Sequence, residues 1–187
     1  MSVETTESLR DCLKAKRHAI IERWLTRTLQ TYPEHTGRFL SQERDPFRNP
    51  VGSTLKNALP VLLDGVLEGR DAVQITPALD SIVRIRAVQD FTASQAVAFL
   101  LLLKQVVREV LREEAQGLQD GGGLAALDCR IDEMALLAFD LFMKCRERIY
   151  EIKANEARRR IYVLERMYGM EPSATACGPD IPLAPQP

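Results

Sequence analysis

The stretch Asp45–Gly69, "DPFRNPVGSTLKNALPVLLDGVLEG", decides how this chain is read. Proline has no amide proton and disfavours helical torsions in the residue before it. Asn49-Pro50 therefore predicts a helix start, with Asn49 capping and Pro50 in the first turn. Val51, Leu55, Leu59, Leu62, Leu63 and Val66 then follow helical spacing, and Gly69 supplies a left-handed stop. Pro60 falls inside this helix, frees the carbonyl of Lys56 and predicts a kink. Gly52, so early in the helix, predicts the close approach of another backbone. "VGSTLK" brings glycine, hydroxyl and lysine together, but the spaced glycines and the Gly-Lys-Ser/Thr ending of a phosphate loop are missing.

Before this stretch, Leu9, Leu13, Ile20, Ile21, Trp24, Leu25 and Leu29 trace one face of a helix from Thr6 to Leu29, closed by Tyr32-Pro33. The polar connection from Glu34 to Arg48 has room for a short turn around Phe39 and Leu40. After it, Thr76-Pro77 predicts the cap of a third helix to about Asp90, with Leu79, Ile82, Val83 and Val88 inward. In "DFTASQA", Thr92 with Gln95 forms a capping box and Phe91 with Ala96 a hydrophobic staple, so a fourth helix begins at Ala93. Its run "AVAFLLLL", Ala96–Leu103, is far shorter than the roughly 20 residues a bilayer requires and ends at Lys104. It reads as the central core helix. Gly117 and the triplet Gly121, Gly122, Gly123 end it and let the chain reverse. No segment reads as a strand, so the fold class is all-α.

Composition agrees with one globular domain. The 187 residues are 45% hydrophobic with a formal net charge of −1, which offers room for a core and no electrostatic case for nucleic acid or acidic lipid. Cys12, Cys129, Cys145 and Cys177 form no CxxC pair, and no signal peptide precedes them, so a reducing cytoplasm is the expected home. Cys129 and Cys145 lie on one helix about 24 Å apart at 1.5 Å per residue, too far to bridge or share a metal in one subunit. They read as small buried hydrophobes.

The last helix, Leu124 to about Tyr168, carries no proline or glycine and spans roughly 65 Å at 1.5 Å per residue. No domain this small covers it. Its first half, with Ile131, Met134, Leu137, Leu141 and Phe142, is apolar enough to pack on the domain. In its second half Tyr150, Ala154, Ala157, Ile161, Leu164 and Tyr168 alternate spacings of four and three, the seam of a coiled coil flanked by charges. The bland alternative is a solvated extension, frayed in the monomer. Arg158, Arg159 and Arg160 read as a solvated flank rather than a nucleic-acid patch, because acidic residues interleave nearby. From Glu171 the Pro-, Ala- and Gly-rich composition reads as a disordered tail.

"DPFRNPVGSTL", followed by "IVRIRAVQDFTASQAVAFLLLLK" from Ile82 to Lys104, resembles the N-terminal domain of the RsbRD type of RsbT co-antagonist proteins. The resemblance covers most of residues 5–150. It implies a globin-like helical domain without haem, dimeric, serving as a sensory module in bacterial stress-signalling assemblies. Asn49, Pro50, Gly52 and Pro60 are then mainly architectural. The expected organisation is a globin-like domain over 1–150, a protruding coiled-coil-like helix over 151–168 and the tail over 169–187. The signalling proteins continue into a STAS domain that contacts partner STAS proteins and the RsbT kinase. Here only the tail follows, too short for a domain of about a hundred residues. The expectation is a sensor-like input without that output.

A haem-binding globin needs an axial ligand, usually a histidine in its second half. The only histidines are His18 and His35, and Leu79–Glu113 contains no His, Cys, Met or Tyr. No haem or other cofactor is expected. His18 and Glu22, one turn apart, are better read as partly solvated than as metal ligands. Ser53 and Ser94 look like helix-start residues, and Asp80, Arg84 and Arg86 like a charged flank, so no catalytic or metal site is read. Within "RIRAVQ", Arg84, Arg86 and Gln89 are the best candidates for a polar site for an anion or a partner. Two functions follow: a dimeric, non-enzymatic sensory or regulatory module, or an adaptor docking on a larger complex through its C-terminal helix. Small-ligand binding in a vestigial globin pocket is compatible with either.

Overall fold

Asn49 opens the fourth of the seven helices found among the described residues, as its sequence dictates. Its side chain accepts the Gly52 amide at 2.8 Å, Pro50 occupies the first turn, and Gly69 closes the helix with φ +67°. The structure is a computed structural model describing residues 2–89, 91–114 and 121–168. Among them are α1 (Ser2–Ala15), α2 (Arg17–Leu29), α3 (Glu34–Gln42), α4 (Pro50–Glu68), α5 (Ala72–Val88), α6 (Ala93–Glu114) and α7 (Gly121–Met167), and no strand. The all-α class and the long C-terminal helix are as expected.

The chain divides into two units, Met1–Lys144 and Cys145–Pro187. In the first, α6 is the central element, with Ala96, Phe99, Leu100, Leu103 and Val106 wholly buried. Helix α2 lies along it through Trp24, and Arg23 and Arg27 pair with Glu113 and Glu109 of α6. Helices α4 and α5 pack together so closely that a Cβ on Gly65 would come within 2.4 Å of Ile75 Cγ2. The early part of α7 is held to α6 by Lys104–Asp132 and Arg108–Asp128, and to α4 by Arg130 donating to the Val66 carbonyl at 3.0 Å. Ile131, Met134 and Phe142 are buried there, and Leu137 and Leu141 half-buried.

Several local expectations change. The first helix is two helices that meet at Lys16, with the backbone still bonded across the break from the Lys16 amide to the Cys12 carbonyl. The connection after Pro33 holds a nine-residue helix, with Leu40 buried and Phe39 half-exposed. Helix α5 starts at Ala72, so Pro77 is inside it, and the Thr76 hydroxyl donates back to the Ala72 carbonyl instead of capping. Val88 is largely exposed, because the inward face ends on Arg86 and Ala87. Gly52 makes room for the Asn49 side chain rather than another backbone: a Cβ there would lie 2.3 Å from Asn49 Nδ2. Gly121, Gly122 and Gly123 form the first turn of α7 instead of a reversal, and Cys129 is exposed rather than buried. Pro60 is accommodated within α4. Gly117, Asp90, Cys177 and the tail lie outside the described residues.

Candidate functional site

The "RIRAVQ" segment divides across α5. Arg84 is exposed and paired with Asp80 one turn back, Gln89 is exposed, and Arg86 is completely buried. The three do not converge on one polar surface. Arg86 falls in helical step with Leu79, Ile82 and Val83, so the spacing that buries those residues also buries a guanidinium. That periodicity was legible in the sequence; the charge concealed it.

The guanidinium stands where the end of α2, the end of α5 and the start of α6 meet. Its Cζ lies 5.4 Å from the Tyr32 ring centroid, 5.1 Å from that of Phe91 and 4.8 Å from that of Phe99. Nη1 donates to the Gln95 carbonyl at 3.0 Å and, more weakly, to that of Ala96 at 3.4 Å, while Nη2 donates to the Thr31 hydroxyl at 3.2 Å. Phe91 packs edge-on against Tyr32, with ring centroids 5.2 Å apart, so it closes over Arg86. The capping box is formed: the Thr92 amide donates to Gln95 Oε1 at 3.0 Å and the Gln95 amide to Thr92 Oγ1 at 3.3 Å. Burial pushes the Arg86 pKa below its ordinary value, and among the described residues no carboxylate pairs with it. An arginine stays charged in protein, so rings and carbonyls must replace its water. They do so incompletely, because Arg86 Nε and the buried Thr28 hydroxyl have no hydrogen-bond partner.

Beside this junction, Thr26, Leu29, Gln30, Tyr32, Gly37 and Ser41 line a groove of about 370 Å³ between α2 and α3. Glu34 and Arg38, an ion pair on α3, border it. Gly37 is required here: a Cβ would meet the Leu29 carbonyl oxygen at 2.9 Å. Tyr32 belongs both to this groove and to the shell around Arg86.

In the second unit, Tyr150, Ala154, Ala157, Ile161, Leu164 and Tyr168 are all exposed. Arg148–Glu151 and Arg160–Glu156 pair along the same helix. Arg146 lies over the Tyr150 ring, 5.0 Å from its centroid. His18, Glu22 and His35 are exposed, and no three His, Cys, Asp or Glu side chains among the described residues gather as a metal-ligand set. No described helix is long and apolar enough to cross a membrane.

Fold and site define an all-helical domain with a long C-terminal helix, a buried charged junction in its body and an exposed apolar edge on that helix. The chain belongs to the family of the RsbT co-antagonist protein rsbRD N-terminal domain, whose model matches residues 18–157. This is a family of sensory and regulatory domains of the stressosome type. The chain is also 24% identical over 155 residues to an uncharacterized protein of Archaeoglobus fulgidus, covering 81% of this chain and 91% of that protein. No solved structure matches it.

Proposed function

We propose that this chain is a dimeric, non-enzymatic sensory or regulatory module of the cytoplasm that passes a change in its helical body along α7. The observation that carries the reading is the exposed edge from Tyr150 to Tyr168. Its spacing of four and three is that of a two-helix seam, and its two largest aliphatic members, Ile161 and Leu164, are each about half exposed. Small Ala154 and Ala157 suit close helix approach.

The body contributes a face of its own. The pairs Lys104–Asp132 and Arg108–Asp128 set α6 antiparallel to the early part of α7, and one turn along the same register Leu101 comes level with Ala135 and Leu136. Leu101, Leu136, Phe139 and Met143 are all exposed on the first unit, an apolar patch suited to a second copy. Family membership supports the sensory reading, since such domains work by assembling with other proteins.

Sedimentation equilibrium tests the proposal. Ile161→Asp with Leu164→Asp places charges in the seam, where burying them unpaired is costly, and should weaken self-association by about tenfold or more. An unchanged dimer constant means the stripe is not a self-association surface. The edge would then be either frayed or reserved for a different protein, which favours the adaptor reading.

A further inference from the structure

Among the described residues no carboxylate pairs with the buried Arg86, and the groove beside it ends on one of its own ring contacts. Its Nε and the Thr28 hydroxyl are buried polar atoms without a partner. Arg86 Nε–H can only donate, and the Thr28 hydroxyl can donate as well as accept, so one acceptor that reaches both completes them. Thr28 lies in the last turn of α2 and Thr31 just beyond it, and the Thr31 hydroxyl already links Thr28 to Arg86, donating to the Thr28 carbonyl at 2.7 Å and accepting from Arg86 at 3.2 Å. An acceptor that also carries negative charge answers the cost of desolvating the guanidinium, which a water molecule cannot do.

We propose that Arg86 is the charged floor of a site for a small carboxylate with an apolar body. The ligand enters the groove between α2 and α3, turns Tyr32 aside, and accepts from Arg86 Nε–H and the Thr28 hydroxyl. Leu29 and Gly37 offer its body an apolar wall, and Thr26, Gln30 and Ser41 a polar rim. The groove's volume of about 370 Å³ is at the lower end of small-molecule sites and fits one aromatic or branched aliphatic group. Tyr32 is the gate because the groove and the guanidinium share it. Its movement would change the contact with Phe91 and hence the start of α6. The inference stands apart from the dimer proposal, and either test can fail without touching the other.

Titration of the full chain with benzoate, and with benzamide as its neutral isostere, decides the matter. Benzoate should bind saturably, with benzamide and the Arg86→Met variant each weaker by about tenfold or more, as expected for loss of a charge-assisted hydrogen bond. The Arg86 Nε–H resonance of the wild type should move on adding benzoate, a readout that needs no variant should Arg86→Met fail to fold. Ser41→Trp, an exposed change that fills the groove, should block binding. The proposal is overturned if benzoate does not saturate through the millimolar range, if benzamide binds equally well, or if the Arg86 resonance stays put while benzoate binds.

Discussion

The Trp24 indole N–H donates to the Phe99 backbone carbonyl at 2.6 Å while its ring stacks on the Phe99 side chain, with centroids 6.2 Å apart and planes 14° off parallel. One residue of α2 thus holds both backbone and side chain of the central helix. Trp24→Phe removes the donor and leaves a void where no atom is solvent-exposed. The expected cost is about 2–3 kcal/mol, combining a buried hydrogen bond with cavity formation. Urea denaturation monitored by circular dichroism measures it, and a loss below half of that would show that the core closes around phenylalanine.

Asn49 does more than cap α4. Besides accepting from Gly52, its Nδ2 donates to the carbonyls of Leu40 at 2.8 Å and Glu43 at 2.9 Å, which ties the end of α3 to the start of α4. Asn49→Ala should therefore cost about 2 kcal/mol, more than the roughly 1 kcal/mol of an ordinary cap. Asn49→Asp keeps the acceptor but turns an oxygen on two carbonyls. Near neutral pH it should be worse than alanine, and equal midpoints for the two variants would mean the Nδ2 bonds contribute nothing.

Arg17 and Asp64 join α2 to α4 through two hydrogen bonds of 2.7 and 2.8 Å. The hydrogen bond from Arg17 holds the Asp64 carboxyl below its ordinary pKa, against an opposing effect of burial. A folded-state pKa below the unfolded one gives stability that is present above the unfolded value and lost as pH falls through the folded one. The pair is partly exposed, so its contribution stays within about 1 kcal/mol. Asp64→Asn should remove that part of the acid-side decline while leaving the alkaline side unchanged, as thermal melts across an acid-to-neutral series would show.

Leu136→Glu with Met143→Glu tests the body's own face. Both residues are exposed, so the fold should keep its stability within about 0.5 kcal/mol. Self-association should weaken all the same. Denaturation and sedimentation on the same preparation separate the two effects, and a dimer constant equal to the wild type's removes this face from the interface.

Protein produced with excess haem should show no stoichiometric Soret band. His18 and His35 sit on the outside of α2 and α3, and the inward faces of α5 and α6 carry Leu, Ile, Val, Phe and Arg86. A band that survives replacement of both histidines would show that another side chain ligates iron.

What could be read in advance was what the chain encodes locally. Asn49-Pro50, Gly69 and the Thr92–Gln95 box fix helix ends through atoms within three or four residues of each other, and the structure places those ends there. Thr76-Pro77 has the same local look but lies inside α5. The close seat of Ile75 on Gly65 draws the preceding turn into the helix, and that contact crosses between two helices. The break at Lys16 has neither proline nor glycine to mark it. Arg86 shows both limits: its helical step pointed inward, but the rings that receive it come from Tyr32 and Phe99, distant in sequence and silent until the chain is folded.

The Arg86 junction also bears on how fast the protein folds. Its link to Thr31 spans 55 residues, and the cation can shed its water only once three aromatic rings from separate segments have gathered. Those contacts are expected to form after the rate-limiting barrier. Arg86→Met should then change the unfolding limb of a chevron and leave the folding limb nearly untouched. Arg86 would act as a late latch that slows escape from the native state, and equal shifts of both limbs would place it in the folding nucleus instead.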